Sequence, residues 1–331
     1  MNILIRATNW IGDAVMSLPA LRAVRTRFPD ARITVLAKPW VAALYEGERS
    51  IDGVIPLEGR WQTILRLRAG HFDWGILFPN SFDSALVLRL GGVKRISGYA
   101  RDARGFLLTD AIPRPLPGQI PRHERFYYLE LLRRAGVIDV LPDVPEIQLD
   151  SLDAKRRRGE KAFLAAGVSL PVIGVSPGAA YGGAKRWIPE RFSEAASRLA
   201  AQYGASVAVF GSAAEKVLCD SVAVAAGGRS FAGETSLRDF IDMAAACHLF
   251  LTNDSGAMHI AAATGVPSIT VFGPTDETAT GPLGDQAVRL RHPVECAPCM
   301  RRECPIDHRC MTRVTADDVI LAAAKILPLG D

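Results

Sequence analysis

The chain has 331 residues, enough for about two domains of ordinary size, and its 49 % hydrophobic and 22 % charged residues supply material for two cores. This excludes a disordered or low-complexity chain, and no apolar run reaches the ~18 residues of a membrane-spanning helix. The net charge of +4 lies in the first half: residues 1–150 carry 20 Lys and Arg against 16 Asp and Glu, and residues 151–331 carry 19 of each.

Residues 60–104 alone hold 8 basic residues (Arg60, Arg66, Arg68, Arg89, Lys94, Arg95, Arg101, Arg104) against 3 acidic ones, which predicts an anionic partner for the first half. No nucleic-acid motif or aromatic interleaving accompanies them, so nucleic acid is not expected. The opening MNILIRA reads as a buried strand and lacks the parts of a signal peptide, giving the expectation of a cytoplasmic protein.

Strands are predicted at 3–7, 33–37, 53–57, 74–79 and 95–99, separated by helices at about 14–28, 40–46, up to residue 70, and 82–91. A Pro-rich loop covers about 110–125, and a helix near 122–136 closes this half. A charged helix from Lys155 to Ala166 reads as part of an interdomain connection at 151–170. The pattern restarts with strands at 172–176, 206–211, about 230–233, 249–253 and 268–273, and helices at 189–203, 214–226, 236–246, 255–264 and about 315–327. Strands alternating with helices imply two doubly wound parallel sheets, in residues 1–150 and 171–331, with ligands at the carboxyl ends of their strands.

Each candidate motif falls at such an end. VIGVSPGAAYGGAKR (172–186) is strand, Gly-rich loop and cations before a helix start, a construction that seats a phosphate on backbone N–H groups. It is not a P-loop, because Ala184 separates Gly183 from Lys185 and Arg186 replaces the Mg²⁺-binding hydroxyl. Ser176, Gly178, Lys185 and Arg186 are therefore candidate diphosphate residues. After the first strand, Asn9-Trp10-Ile11-Gly12-Asp13 offers Asp13 either as a helix N-cap, which would lower its pKa, or as a general base. Asp254, Ser255, Gly256, Ala257, Met258 and His259 start a helix that either caps itself or holds a phosphate; a lone His there is more often structural. Glu215 follows a strand end, where carboxylates commonly bond a ribose, and Phe272-Gly273-Pro274-Thr275-Asp276 is a similar turn. Cys219 and Cys247 read as buried thiols. Cys296, Cys299, Cys304 and Cys310 cluster within 15 residues, the spacing of either a structural Zn²⁺ or Fe–S site or a loop shaped by free or paired thiols.

Taken together, these motifs resemble glycosyltransferase family 9, the ADP-heptose:lipopolysaccharide heptosyltransferases. The resembling stretches are ILIRATNWIGDAVMSLPALRAVRTRFPDARI, RISGYARDARGFLLT, HERFYYLELLRRAG, VSPGAAYGGAKRWIPERF, LFLTNDSGAMHIAAATGVPSITVFGPTD and CAPCMRRECPIDHRCM. Trp10 before Gly12-Asp13, with the Cys-rich tail, resembles the subtype that adds the second inner-core heptose. The resemblance implies a GT-B fold, two Rossmann-like domains facing a central cleft, with an acceptor-binding first domain, a donor-binding second domain and the final helix packing back on the first. It implies inverting transfer of L-glycero-D-manno-heptose from ADP-heptose to heptosyl-Kdo2-lipid A, with no catalytic cofactor. Asp13 would be the base, Lys185 would neutralise the leaving ADP, Asp254 would meet the heptose, Glu215 the ribose, and Ser255 to His259 the donor. Asn9, Trp10, Gly12, Arg60, Arg101 and Arg104 are weaker acceptor-binding candidates. Where some members carry hydroxyls, this chain has Ala179 and Ala180, so backbone N–H groups must hold that part of the phosphate. A phosphorylated, membrane-embedded acceptor implies salt-sensitive peripheral contact with the cytoplasmic face of the inner membrane. The rivals are a first-heptose transferase, a GT-B sugar-nucleotide 2-epimerase, an oxidoreductase disfavoured by the missing GxGxxG, and a sugar-nucleotide-binding protein without transfer.

Overall fold

The computed structural model describes residues 1–327, which divide into two compact units, the first ending at Val144 and the second beginning at Pro145. In the first, the chain runs β1 (Asn2–Arg6), α1 (Ile11–Arg27), β2 (Arg32–Ala37), α2 (Pro39–Ala42), β3 (Gly53–Pro56), α3 (Arg60–Gly70), β4 (Trp74–Leu77), α4 (Phe82–Leu90), β5 (Arg95–Tyr99), β6 (Asp110–Ile112) and α5 (Arg125–Arg134). In the second it runs α6 (Leu152–Ala165), β7 (Val172–Ser176), α7 (Pro189–Tyr203), β8 (Ser206–Val209), α8 (Lys216–Ala225), β9 (Arg229–Ser230), α9 (Leu237–Ala245), β10 (Leu249–Asn253), α10 (Gly256–Ala263), β11 (Ser268–Val271), α11 (Glu277–Thr280), β12 (Ala287–Leu290), α12 (Arg309–Thr312) and α13 (Ala316–Ile326).

Each unit holds one six-stranded, all-parallel sheet, ordered β3-β2-β1-β4-β5-β6 and β12-β11-β10-β7-β8-β9. The central strands β4, β7 and β10 are buried along their whole length, because helices cover both faces of such a sheet. Their order reverses at β1/β4 and at β10/β7, the points where a doubly wound sheet opens a ligand crevice at its carboxyl edge.

The structure departs from the sequence expectations in three places. The division falls at Val144/Pro145, and the helix read as interdomain connection belongs to the second unit. That helix, α6, lies directly on α9: Arg158 makes a bidentate ion pair with Asp242 (2.6 and 2.7 Å), and a Cβ on Gly159 would stand 2.0 Å from the Asp242 carbonyl oxygen. Gly159→Ala is therefore expected to destabilise the second unit by about 1–3 kcal/mol despite alanine's better helix propensity, read as a lower denaturant midpoint. The edge strands β6 and β12 were not foreseen. β6 has three residues before a Pro-rich loop, and β12 is only half-buried, so neither carries a continuous apolar run. The predicted strand at 230–233 is a two-residue strand at Arg229–Ser230. Within the second unit, the apolar face of α13 is buried in the core: Val319, Ala322 and Ala323 cluster with Trp187 and Phe192. A capping box between Thr315 and Asp318 starts that helix.

Candidate functional site

In the second unit, the carboxyl ends of the adjacent strands β8, β7 and β10 bring the sequence candidates together. The Lys185 ammonium, on the Gly-rich loop after β7, pairs with Asp254 Oδ2 after β10 at 2.6 Å, both side chains largely buried. The same Oδ2 accepts a 2.5 Å hydrogen bond from the Thr275 hydroxyl, which is 3 % exposed in the turn after β11. One carboxylate oxygen is thus held from two sides, which fixes the Asp254 rotamer and leaves Oδ1 for a ligand. The ammonium also lies 4.8 Å from the Tyr181 ring centroid.

Asn253, fully buried, joins the two loops. Its Oδ1 accepts from the Trp187 N–H (2.9 Å) and its Nδ2 donates to the Pro177 carbonyl (2.7 Å). Glu215 forms a capping box with Ser212, donated to by the Ser212 N–H at 2.9 Å and hydroxyl at 2.7 Å. A Cβ on Gly178 would stand 2.1 Å from Glu215 Oε1, so a side chain there would push the Glu215 carboxylate out of its present position. Arg186 is exposed, with a 3.5 Å contact to the Ala179 carbonyl. Helix α10 begins at Gly256, after Ser255, whose side chain caps nothing; Asp254 is turned to Lys185 instead. The amides of the first turn therefore remain available to an anion, and Met258 and His259 lie buried on that turn.

The Gly-rich loop corrects one expectation. Its amides at Gly183 and Ala184 are already engaged, by Glu303 Oε1 (3.0 Å) and the Arg302 carbonyl (2.8 Å). His308 Nε2 donates to the Ala184 carbonyl (2.7 Å), and the Tyr181 hydroxyl to the Met300 carbonyl (2.8 Å). The cysteine-bearing segment is thus a brace on the Gly-rich loop. Cys296 and Cys299 are exposed, Cys304 is half-buried, Cys310 is buried, and all four are free. Among the described residues no group of three or more His, Cys, Asp or Glu is placed to hold a metal ion, so the cysteines do not fit the metal their spacing suggested. Cys219 and Cys247 are buried thiols, as expected.

In the first unit, Asp13 stands in the first turn of α1, half-buried, while Trp10 occupies the N-cap position without a side-chain cap bond. Asp13 is therefore not the helix cap. Burial pushes its carboxyl above the usual 3.8, opposite to the lowering that capping would have given. Glu124, at the start of α5, is raised by burial and then by the Asp13 charge. Asn9 is anchored from below by the buried Arg6 (2.6 Å), and its carbonyl accepts from Trp40 Nε1 (3.0 Å).

The weaker acceptor candidates separate. Arg60 and Arg101 are half-exposed, beside Asp83 (2.7 Å) and Asp102 (3.4 Å). Arg104 is fully buried and donates to the carbonyls of Pro79 (2.6 Å), Tyr99 (3.1 Å) and Ser81 (3.2 Å) and to Ser84 Oγ (3.0 Å), so it holds the fold together and is not offered to a ligand. Sequence reasoning missed Asn253, Thr275 and Glu303. The first two lay inside quoted motifs and carried a signal, as polar residues at strand ends; the contact of Glu303 with a loop 120 positions away carried none.

A family model for glycosyltransferase family 9 (heptosyltransferase) matches residues 60–309. Lipopolysaccharide heptosyltransferase 2 of Salmonella typhimurium is 32 % identical over 310 residues, 88 % of each chain. Lipooligosaccharide heptosyltransferase 2 of Haemophilus influenzae is 33 % identical over 314 residues, again 88 % of each. The structure of E. coli ADP-heptose lipopolysaccharide heptosyltransferase II aligns with a TM-score of 0.84 at 28 % identity, covering 99 % of this chain and 98 % of that one. With two parallel-sheet units of the GT-B kind and strand-end loops that gather a lysine, two carboxylates and an open helix start, the chain belongs to glycosyltransferase family 9.

Proposed function

We propose that this glycosyltransferase moves L-glycero-D-manno-heptose from ADP-heptose to the heptosyl-Kdo2-lipid A inner core, with inversion and without a catalytic metal. The observation that carries the donor half is the convergence of Lys185, Thr275 and Asp254 beside the open amides of α10. Lys185 meets the diphosphate and stabilises the negative charge that grows on it as the sugar–phosphate bond breaks. Asp254, through Oδ1, takes a heptose hydroxyl. Ser255 to His259 and Ser176 to Gly178 border the donor, and Glu215 meets the ribose. In the first unit Asp13 takes the proton of the acceptor hydroxyl as its oxygen bonds to the anomeric carbon, and ADP leaves with the electron pair on the opposite face. Asn9, Trp10, Gly12, Arg60 and Arg101 border the acceptor. The relatives named for the second heptose, more than 30 % identical, favour this acceptor over one lacking a heptose. The site of action is the cytoplasmic face of the inner membrane, where such an acceptor is embedded.

Calorimetry with ADP tests the donor half. A charge-assisted hydrogen bond is worth about 1.5–3 kcal/mol, so Lys185→Ala should weaken ADP about 10- to 100-fold. Unchanged affinity would remove Lys185 from the diphosphate site. Thr275→Val has a different signature. It frees the Asp254 rotamer, so ADP affinity should hold while the KM for the sugar nucleotide rises and kcat falls, and Thr275→Ser should restore both. Equal losses for ADP and ADP-heptose would make Thr275 a purely structural residue.

A further inference from the structure

The loop that carries Lys185 has a second cation against it, supplied by the cysteine-bearing segment. Tyr181 presents its ring to both. The Lys185 ammonium lies 4.8 Å from the ring centroid, and the Arg302 guanidinium carbon lies 5.3 Å from it. The negative face of the ring attracts each cation, but the two repel one another, and an anion beside them relieves that repulsion.

The main chain of Arg302 is held in place. Its carbonyl accepts from the Ala184 N–H at 2.8 Å. A Cβ on Gly182 would stand 2.3 Å from that carbonyl oxygen, so only glycine lets the two backbones come this close. Two residues earlier, the Met300 N–H donates to the carbonyl of Pro274 at 2.8 Å, next to Thr275. One residue later, Glu303 Oε1 accepts from the Gly183 N–H at 3.0 Å. The segment therefore fixes Arg302 between the Gly-rich loop and the turn that holds Asp254.

The side chain of Arg302 is not used in this brace. It is exposed, and among the described residues its guanidinium has no carboxylate partner; the carboxylate of Glu303 is turned to Gly183 instead. Lys185, by contrast, is already paired with Asp254 at 2.6 Å. Arg186, the cation expected from the sequence to join Lys185, contacts the Ala179 carbonyl at 3.5 Å. A diphosphate carries negative charge on both phosphates, more than a partly neutralised ammonium can match. A guanidinium suits the remainder, because its planar fork meets two phosphate oxygens at once.

We propose that Arg302 is a second cationic binding residue for the diphosphate of the sugar nucleotide, presented to it across the ring of Tyr181. The inference rests on the donor reading of Lys185 given above and adds to it a residue more than a hundred positions away. The test is calorimetry on the full chain with ADP and with adenosine. The brace uses the carbonyl of Arg302, so Arg302→Ala should melt like the wild type. It should bind ADP about tenfold more weakly, with adenosine affinity unchanged. The loss should be smaller than in Lys185→Ala, because solvent screens an exposed guanidinium. Arg302→Lys should recover part of it. Tyr181→Leu should weaken ADP at least as much as Arg302→Ala, and Tyr181→Phe, which keeps the ring, much less. Arg301→Ala, one residue away on the same exposed segment, should bind ADP as the wild type does. The proposal is overturned if Arg302→Ala keeps wild-type ADP affinity, if adenosine weakens as much as ADP, or if Arg301→Ala loses as much as Arg302→Ala. A raised KM for ADP-heptose with ADP affinity intact would place the guanidinium on the sugar and overturn it too. Wild-type affinity in Arg302→Ala beside the expected loss in Lys185→Ala would strike this inference and leave the donor reading standing; no loss in either variant would strike both.

Discussion

Asp13→Asn should lower turnover about 10²- to 10⁴-fold, the usual contribution of a positioned general base, and leave ADP affinity unchanged. The substitution keeps the side chain's shape, and no neighbour loses a partner, because no described side chain donates to the Asp13 carboxylate. The pH profile gives the second readout. Burial raises the Asp13 carboxyl above 3.8, since removal from water disfavours the charged form. A base acts only when deprotonated, so kcat/KM should fall as pH drops through that raised value, at a higher pH than an exposed aspartate would give. The raised value also makes Asp13 a better proton acceptor than a capping carboxylate. Full activity in Asp13→Asn, or an acid limb that stays in place when Asp13 is changed, would assign the proton to another group.

Arg104→Ala should destabilise the first unit by about 3–5 kcal/mol, the cost of removing one side of a buried charged network. Its guanidinium is fully buried and donates to three main-chain carbonyls and a serine hydroxyl, at Pro79, Ser81, Ser84 and Tyr99. Burial lowers its pKa to about 10, so it remains charged at neutral pH, and the carbonyl dipoles replace its hydration. Alanine would leave those acceptors unpaired around a cavity. Arg104→Lys keeps the charge but cannot span the carbonyls as a planar fork does, and should lose roughly half as much. Melting of the variants checks this. A wild-type transition in Arg104→Ala would mean that the carbonyls between β4 and α4 find other donors.

The contrast between Arg104 and Lys185 shows what was legible in the sequence. Both are cations in segments that follow buried strands. The glycines around Lys185 announce close backbone approach, whereas nothing near Arg104 distinguishes a cation turned inward from one offered to an anionic ligand. The alternating strands and helices were readable because parallel strands buried on both faces are continuous apolar runs. β6 and β12 were not, because edge strands carry no such run. The setting of Asp13 was half-legible: its place at a helix start was visible, but the direction of its pKa depends on burial in the folded chain. The same limit hid the brace on the Gly-rich loop, where Arg302, Glu303 and His308 reach Gly183 and Ala184 across more than a hundred residues. The cysteines drew the eye in that segment, yet the residues between them make the contacts.

The most direct test is ADP release from ADP-heptose, measured with and without a lipid A core that carries its first heptose. Release that requires this acceptor and disappears in Asp13→Asn is the predicted result. No release with either the heptosylated or the unheptosylated core, or release at one rate whether or not an acceptor is present, would contradict it.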